Sequence, residues 1–441
     1  MGCIVAVRGL LYDDLAFFHM SPASQVITFG PFTLDLTSES LQREGEYLSL
    51  RPQALRALKA LVTHSGLHVD HEHMIQQAWG GVSVSKHTVT VTIAEVKRAL
   101  GEYGAWITCH PRLGYSLEIP ESEQLLRIGW HHVNRQTREG LEKALVCFER
   151  AALETGAEGR ALEGISRVLL QMGSFSMRSP EQAYPRFLEA HNRVVELRGY
   201  TAELRADRGL GLHLFERNYP ESEKFLQAAI AEQPRLAVAY VYLAMLYVSW
   251  ERYEEAEQTI QQGRAVDALL SNVALAEILV RFCSRNFEAA VDYGKQVLDL
   301  HPYFPTATSF YAAALERLGR NEEALELYRR VCLLSPDVGW NRALEGACLA
   351  KTGYRAEAES ALADIERVRQ STYVDGYHTA LLKHALGRVE DAMTELESAF
   401  EQGCPMLALL NVDPKFDNFR GHPRFEAIRQ KIAATNSPVA C

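Results

Sequence analysis

The chain has 441 residues, a formal net charge of −10 and 47% hydrophobic residues. This length exceeds one ordinary hydrophobic core and predicts about two to three domains. The hydrophobic content excludes a wholly disordered chain, and the acidic balance excludes a protein that coats nucleic acid along its whole surface.

The eight cysteines are scattered along the chain and include no CxxC pair. This usage indicates reduced thiols in the cytosol rather than a disulfide framework or a zinc site. Charged residues at Arg8, Asp13 and Asp14 interrupt the first apolar run, which argues against a signal peptide or a spanning helix. We therefore expect a cytoplasmic protein. Whether translation starts at Met1 or at Met20 stays open at this stage.

The first structural elements are three short extended runs within residues 26–50, VITFG, FTLDL and EYLSL. Their composition and the Gly and Pro residues between them predict β-strands joined by turns. Pro52 then opens a predicted helix that ends at Gly66. Asp70 is the predicted N-cap of a second helix, which a pair of glycines ends.

The next segment, SVSKHTVTVTIAEVKRAL at residues 83–100, alternates polar and β-branched residues as a strand does. The alternation stops after Ile93, whereas a helical period collects the apolar residues on one face: Val89, Ile93, Val96 and Leu100. We therefore predict a third helix, capped by Ser85 and ended by Gly101.

The solvated side of this third helix is predicted to carry Thr88, Thr92 and Glu95, with Thr90 and Val91 flanking it. Threonine is a poor helix former, so propensity does not explain this composition. Contact of hydroxyl and methyl groups with bases and phosphates would explain it. Two strands are predicted after the helix, at residues 106–108 and 115–119, around the turn HPRLG.

The order of strands, three helices and a hairpin resembles the OmpR/PhoB-type winged helix-turn-helix domain. The resemblance rests on four short stretches: Leu50-Arg51-Pro52, Ala78-Trp79-Gly80, Thr88-Val89 and Leu113-Gly114-Tyr115. It implies a DNA-binding domain whose third helix enters the major groove and whose hairpin, the wing, reaches the minor groove.

The resemblance also implies which side chains contact double-stranded promoter DNA. The implied set contains phosphate contacts at the helix start, base contacts along the helix and further backbone contacts: Lys86, His87, Thr88, Thr90, Val91, Thr92, Glu95, Lys97, Arg98, Arg112 and Tyr115. The sequence departs from the family where Ala94-Glu95 replaces two arginines and Pro111-Arg112 replaces an arginine followed by glycine. Residues 26–120 contain eight Lys/Arg and nine Asp/Glu, so binding would depend on a local positive patch.

The rest of the chain has helical patterns only. The 34-residue segment from Tyr303 to Pro336 resembles a tetratricopeptide repeat (TPR), with Gly319, Ala324 and Tyr328 at the family's small and aromatic positions. Related segments predict about six to eight units. The predicted fold class is therefore mostly α, an N-terminal α/β winged helix-turn-helix domain followed by a TPR-type α-solenoid.

The predicted domain organisation follows from these patterns. Residues 1–25 form an N-terminal extension for which disorder is one alternative, and about 25 residues leave no room for a receiver domain. The further predicted parts are the DNA-binding domain at 26–120, a linker at 121–137, the TPR-like domain at 138–420 and a C-terminal tail at 421–441.

The aromatic residues of the repeats have two interpretations, packing between units or lining of a concave groove for a protein or small ligand, and packing is favoured. They are Tyr240, Tyr247, Trp250, Tyr311 and Trp340. Four histidines between residues 64 and 73 are interpreted as a solvated turn rather than a metal site. No P-loop, GxSxG or HExxH motif occurs, so we expect no enzymatic activity, no catalytic residues, no metal and no cofactor.

Two functional hypotheses remain. The first is a bacterial sequence-specific transcriptional regulator, in which the winged helix reads promoter DNA and the TPR array binds a partner or senses a signal, with RNA polymerase and a second copy as further partners. The second is a TPR protein-interaction scaffold whose winged helix no longer binds DNA. The first is favoured, because a threonine-rich face flanked by Lys86, Lys97 and Arg98 suits DNA. The operator, the direction of regulation and the signal stay open.

Overall fold

The structure is a computed structural model that describes residues 26–43, 45–134, 137–154, 156–268, 271–336 and 338–435. The predicted N-terminal extension, with both candidate start positions, lies outside these residues. The chain divides into two compact units, up to Arg127 and from Ile128 onward. We refer to them as the N-terminal unit and the repeat unit.

The N-terminal unit begins with a four-stranded antiparallel sheet in sequential order: β1 (Val26–Phe29), β2 (Phe32–Asp35), β3 (Ser40–Arg43) and β4 (Glu46–Leu48). Three of these strands were predicted, and β3 was not. Strand β3 contributes one buried apolar residue, Leu41, which is paired with Leu34 and Leu48. A strand of four residues with one apolar side chain shows no alternation of polar and apolar residues in the sequence. It forms a strand because it pairs with β2 on one edge and with β4 on the other.

Three helices follow: α1 (Pro52–Thr63), α2 (His71–Trp79) and α3 (Lys86–Leu100). The predicted caps are confirmed, since Asp70 accepts a hydrogen bond from His73 N at 2.7 Å and Ser85 accepts one from Thr88 N at 3.1 Å. The question raised by residues 83–100 is therefore answered in favour of a helix. A 3₁₀ segment (Gly101–Trp106) leads to the hairpin of β5 (Ile107–His110) and β6 (Gly114–Leu117).

One hydrophobic core holds the N-terminal unit together. It joins the sheet, the helices and the hairpin through buried residues such as Phe32, Leu58, Val89, Ile93 and Leu117. Burial of such side chains contributes about 1.5–3 kcal/mol each. Helix α3 is therefore fixed by its apolar side, and its opposite side is left exposed.

Helix α4 (Glu121–Asn134) occupies most of the predicted linker and contains the boundary between the units. The repeat unit continues with paired helices: α5 (Arg138–Ala151), α6 (Glu158–Ser174), α7 (Pro180–Arg198), α8 (Ala202–Gly211), α9 (Tyr219–Glu232), α10 (Ala237–Ser249), α11 (Tyr253–Val266), α12 (Ser271–Cys283), α13 (Phe287–Leu300), α14 (Pro305–Arg317), α15 (Asn321–Leu334), α16 (Gly339–Lys351), α17 (Arg355–Arg369), α18 (Gly376–Ala385) and α19 (Val389–Glu401). Helices α10, α12, α14 and α16 begin at intervals of 34 residues, which is the TPR period.

The C-terminal part of the repeat unit does not continue this stacking. Residues 404–419, which we call the closing segment, contain two 3₁₀ turns, Pro405–Leu409 and Pro414–Phe419. The predicted C-terminal tail contains helix α20 (Pro423–Thr435), whose residues Phe425, Ile428 and Ile432 are buried. Among the described residues, no helix is long and apolar enough to cross a membrane.

Candidate nucleic-acid interface

Helix α3 presents one exposed side, which we call the outer face: Lys86, His87, Thr90, Val91, Ala94 and Arg98. Val91 is 45% exposed and lies on this side of the helix. The opposite side is anchored in the core by the predicted apolar residues Val89, Ile93 and Val96. The predicted site residues on the outer face are therefore brought together on one accessible surface.

Two further predicted residues flank the outer face. Thr88 is exposed, and its hydroxyl lies 2.9 Å from the hydroxyl of Ser85 at the helix cap. Lys97 is partly exposed near the other end of the helix. Both side chains lie beside the outer face rather than at its centre.

The predicted position of Thr92 on the solvated side is wrong. Thr92 is 4% exposed, and its hydroxyl donates to the carbonyl oxygen of Thr88 at 3.0 Å. A helix turns by about 100° per residue, which places Thr92 about 70° from the centre of the apolar stripe. The core therefore covers Thr92 and satisfies its hydroxyl within the helix.

Glu95 also has a different role from the predicted base contact. Its Oε1 accepts a hydrogen bond from Arg51 N at 3.1 Å, and its Oε2 accepts one from Arg51 Nε at 2.6 Å. The hydrogen bond from the Arg51 guanidinium lowers the pKa of the Glu95 carboxyl, so the carboxylate stays ionised. This pair ties the start of α1 to α3, and its engagement of both carboxylate oxygens argues against base contact.

The wing is joined to the outer face by Tyr115. The Tyr115 hydroxyl lies 3.3 Å from the Thr90 hydroxyl, and its backbone exchanges hydrogen bonds of 3.0 and 2.8 Å with Val69. Gly114 precedes it with φ +100°, and a Cβ at this position would lie 2.1 Å from the Val69 carbonyl oxygen. Glycine is therefore required where the wing approaches the helices.

The tip of the wing carries a cation. Arg112 is exposed in the turn between β5 and β6, with a left-handed φ of 71°. The neighbouring Leu113 is 54% exposed. Lys86 and Arg98 thus supply exposed positive charge beside the apolar centre formed by Val91 and Ala94, and Arg112 adds an exposed cation on the wing. Such an arrangement can contact phosphates with the cations and thymine methyl groups with the apolar centre.

Ala94 belongs to the outer face, and Leu113 is an exposed apolar residue of the wing, but neither was among the predicted contact residues. The helical period contained the signal for Ala94, because a wheel centred on the apolar stripe places Val91, Ala94 and Arg98 on the far side. Leu113 is exposed because the chain reverses direction at the wing tip. The sequence does not show this exposure, because a single apolar residue in a turn has no periodic pattern.

The histidines of residues 64–73 form two separate ring contacts. The rings of His64 and His73 lie 4.9 Å apart, and those of His68 and His110 lie 4.4 Å apart. His110 Nε2 lies 2.8 Å from the Ser116 hydroxyl. Within the described part of the chain, no group of three or more His, Cys, Asp or Glu is arranged to hold a metal ion.

Most of the aromatic residues predicted for the repeat groove pack between helices, and one of them lines a cavity. Tyr240 and Tyr311 pack against Gly263 and Gly294, where an added Cβ would lie within 3.0 Å of each ring side chain. Tyr247 is buried and donates to Glu223 Oε1 at 2.8 Å.

Trp250 and Trp340 complete this set. The ring of Trp250 packs edge-on against Tyr219, with centroids 5.9 Å apart. Trp340 instead lines a partly open cavity and stacks on His378, with ring centroids 5.3 Å apart. Of the five predicted groove residues, Trp340 is the one that lines this cavity.

Comparisons with known proteins agree with the two-unit architecture. Residues 45–117 match the family "Transcriptional regulatory protein, C terminal". The chain is similar to the transcriptional activator CadC of Escherichia coli (strain K12), with 26% identity over 99 residues. That match covers 22% of this chain and 19% of CadC, so the similarity spans about a fifth of that protein.

Solved structures resemble the chain over a longer range. A monomeric mutant of IFIT1, solved with m7Gppp-AAAA, covers 82% of this chain and 84% of its own, with 12% identity and a TM-score of 0.52. A tetratricopeptide repeat protein from Parabacteroides merdae ATCC 43184 covers 61% of this chain and 99% of its own, with 13% identity and a TM-score of 0.41. At 12% identity, the similarity to IFIT1 describes the fold alone. The TM-score of 0.41 for the second protein is too low to support a conclusion. The chain thus joins a winged helix of the transcriptional regulatory protein C-terminal family, at residues 45–117, to a helical repeat region of the TPR type.

Proposed function

We propose that this protein is a cytoplasmic, non-enzymatic transcriptional regulator that binds promoter DNA through the outer face of α3 and the wing. The observation that carries the proposal is the outer face itself. It exposes Val91 and Ala94 between the cations Lys86 and Arg98, on a helix fixed by its other side. An exposed apolar centre with a cationic rim suits the floor and walls of the major groove.

The matched domain supports this proposal. Residues 45–117 contain α3 and the wing, so the family match and the exposed surface coincide. Phosphates would be contacted by Lys86, Arg98 and Arg112, while Thr90 and Val91 would approach base edges. Glu95 would act indirectly, because its ion pair with Arg51 holds α3 against α1. The repeat unit would receive the signal or partner.

The test measures binding of the full chain to a pool of promoter fragments at two salt concentrations. We expect selective binding that weakens as salt rises, because cations on the protein displace counterions from the phosphates. Arg98→Ala should weaken binding about tenfold and reduce the salt slope by about one. Val91→Glu should weaken it more, because a carboxylate at the centre of the face repels phosphate.

Lys59→Ala is the matched control, since Lys59 is an exposed cation on α1 outside this surface. It should leave affinity and salt slope unchanged. Val91 is preferred to Thr92 for the acidic change, because Thr92 is buried and a carboxylate there would unfold the unit. Full-chain binding that neither Arg98→Ala nor Val91→Glu alters would refute the interface. Absence of any binding at low salt would favour the scaffold alternative.

A further inference from the structure

The repeat unit contains a partly open cavity of about 120 Å³, lined by the first helix of successive helix pairs. The wall is formed by helices that are distant in the sequence, and Val241, Leu275, Phe310 and Leu344 represent four successive repeats. Pro405, Met406 and Leu409 of the closing segment complete the wall. The cavity therefore lies where an open TPR array would present its concave groove.

The closing segment is bound firmly in that groove. Arg217 Nη2 donates to the Cys404 carbonyl oxygen at 3.1 Å, and the Tyr219 hydroxyl donates to the Ala408 carbonyl oxygen at 3.2 Å. Further along, Arg285 makes two hydrogen bonds of 2.8 Å to the carboxylate of Asp417. The closing segment thus fills part of the concave side, and the space that remains has the size of a small molecule.

The charges around the cavity favour an uncharged occupant. None of the lining residues that the structure describes is acidic. The cation Lys415 is already paired with Asp413 Oδ2 at 2.9 Å, and its ammonium lies 4.9 Å from the ring centroid of Phe310. Burial lowers the pKa of His213 to about 3, so this imidazole is neutral. A charged ligand would therefore enter an apolar space without a free counter-charge.

Several lining residues hold buried polar atoms that lack a hydrogen-bond partner within the described part of the chain, and they include Gln171 Oε1, Ser174 Oγ and His213 Nδ1. The tautomer of His213 follows from its neighbour. Ser249 Oγ donates to the Met245 carbonyl oxygen at 3.2 Å and therefore accepts from His213 Nε2, 2.8 Å away. His213 Nδ1 is then an acceptor, as is Gln171 Oε1. Unpaired acceptors in an apolar wall call for an occupant with a donor.

The backbone around His213 is itself unusual. Residues Leu212–Glu216 form a π-helical turn, which ends at Arg217 with a left-handed φ of 53°. Such turns are rare and occur frequently at functional sites. Here the turn belongs to the stretch that places His213 and Leu214 in the cavity wall.

We propose that this cavity binds a small, uncharged aromatic molecule that carries a hydrogen-bond donor, of the phenol class. The stacked pair of Trp340 and His378, together with Phe310, supplies aromatic wall. The size agrees, since an engineered apolar cavity of about 150 Å³ in another protein binds benzene. The donor of the ligand would satisfy an acceptor of Gln171 or His213, and its ring would fill the apolar volume.

Such a ligand would bridge the beginning and the end of the repeat array. Gln171 and His213 belong to early helices, whereas Met406 and Lys415 belong to the closing segment. Binding would stabilise the contact between these helices and the closing segment by mass action. The role of this site as the signal input of a DNA-binding regulator rests on the proposed function. Ligand binding itself is measured without DNA. Failure of one test therefore leaves the other standing.

The experiment measures binding to the full chain by calorimetry and by the shift in thermal unfolding, with phenol, benzene, benzoate and benzylammonium as probes. We expect phenol to bind saturably and at least fivefold more tightly than benzene, because of its donor. The two charged probes should not bind. Equal affinity for phenol and benzene would overturn the donor assignment, and no saturable binding of phenol would overturn the site.

Met406→Trp fills the cavity from the closing segment and should raise the Kd for phenol at least tenfold. Leu333→Trp is the matched control, because Leu333 is 83% exposed on α15, and it should leave the Kd unchanged. If Met406→Trp does not fold, the double variant Gln171→Leu with His213→Phe takes its place, since it removes both unpaired acceptors. It should reduce the preference for phenol over benzene, and an unchanged preference contradicts the proposal.

Discussion

The outer face of α3 and the cavity of the repeat unit are opposite solutions for a binding surface. The outer face is open, and its side chains are supported from behind by the buried residues Val89, Ile93 and Val96. Residues 404–419 of the same chain contribute to the wall of the cavity, and Tyr219 and Arg217 are hydrogen-bonded to that segment. An open convex helix suits a partner with a groove, whereas a concave apolar cavity suits a small molecule.

The largest expected effect on stability comes from a substitution in the closing segment. Asp413 is buried, accepts a hydrogen bond from the Tyr377 hydroxyl at 2.6 Å and pairs with Lys415. Asp413→Ala would leave Lys415 without its counter-charge beside the apolar cavity, so we expect a loss of about 3–5 kcal/mol in the free energy of unfolding. Urea unfolding followed by helical circular dichroism measures this loss.

The control for that measurement is Asp391→Ala, since Asp391 is exposed on α19. It should cost less than about 1 kcal/mol. Equal losses for the two variants would mean that the closing segment adds little to the stability of the repeat unit.

The wing offers a second test, because it depends on one glycine. In Gly114→Ala the new Cβ would meet the Val69 carbonyl oxygen in a backbone region that alanine rarely adopts. We expect a loss of about 2–3 kcal/mol in the stability of the N-terminal unit and weaker DNA binding.

Gly45→Ala is the control variant, because it introduces backbone strain without a steric clash. Gly45 has φ +89° but no neighbouring atom within 4 Å of an added Cβ, so its substitution should cost about 1 kcal/mol. Hydrogen exchange of the β5 and β6 amides reports the difference between the two variants. If the two alanine variants are equally stable, the close approach of the wing to Val69 is not maintained in solution.

Acid should affect the repeat unit through a buried histidine. Burial, with a smaller effect of the Arg208 charge, lowers the pKa of His191 to about 4. The unfolded chain binds the proton more readily, so this contribution to stability is present above about pH 6.5 and is lost as the pH falls towards 4. The loss expected from His191 alone between about pH 7.5 and about pH 5 is about 2 kcal/mol.

His191→Phe should remove that part of the acid loss, because the ring lies among aromatic neighbours and both of its nitrogens lack partners within the described residues. Urea unfolding at the two pH values measures the change. His87→Phe, at an exposed position on α3, should leave the acid loss as it is in the unchanged protein. An acid loss that His191→Phe does not reduce would exclude this histidine as its source.

Much of the fold was readable from local patterns. Capping residues, glycine stops and the helical period predicted α1, α2 and α3, and the 34-residue period predicted the repeats. These signals act between residues close in the chain, so a sequence contains them directly. Strand β3 escaped prediction because its order comes from strands β2 and β4 on its two sides.

The binding surfaces were less predictable. Residue types on α3 indicated a nucleic-acid surface, but only packing decided that Thr92 is covered and that Glu95 pairs with Arg51, 44 positions away. The same holds for the repeat unit, where the Arg217 bond to Cys404 spans 187 positions. The sequence by itself determined which helices form and which of their sides are apolar, because those properties depend on near neighbours. The tertiary structure decided which polar groups stay accessible, because that depends on contacts between residues far apart in the chain.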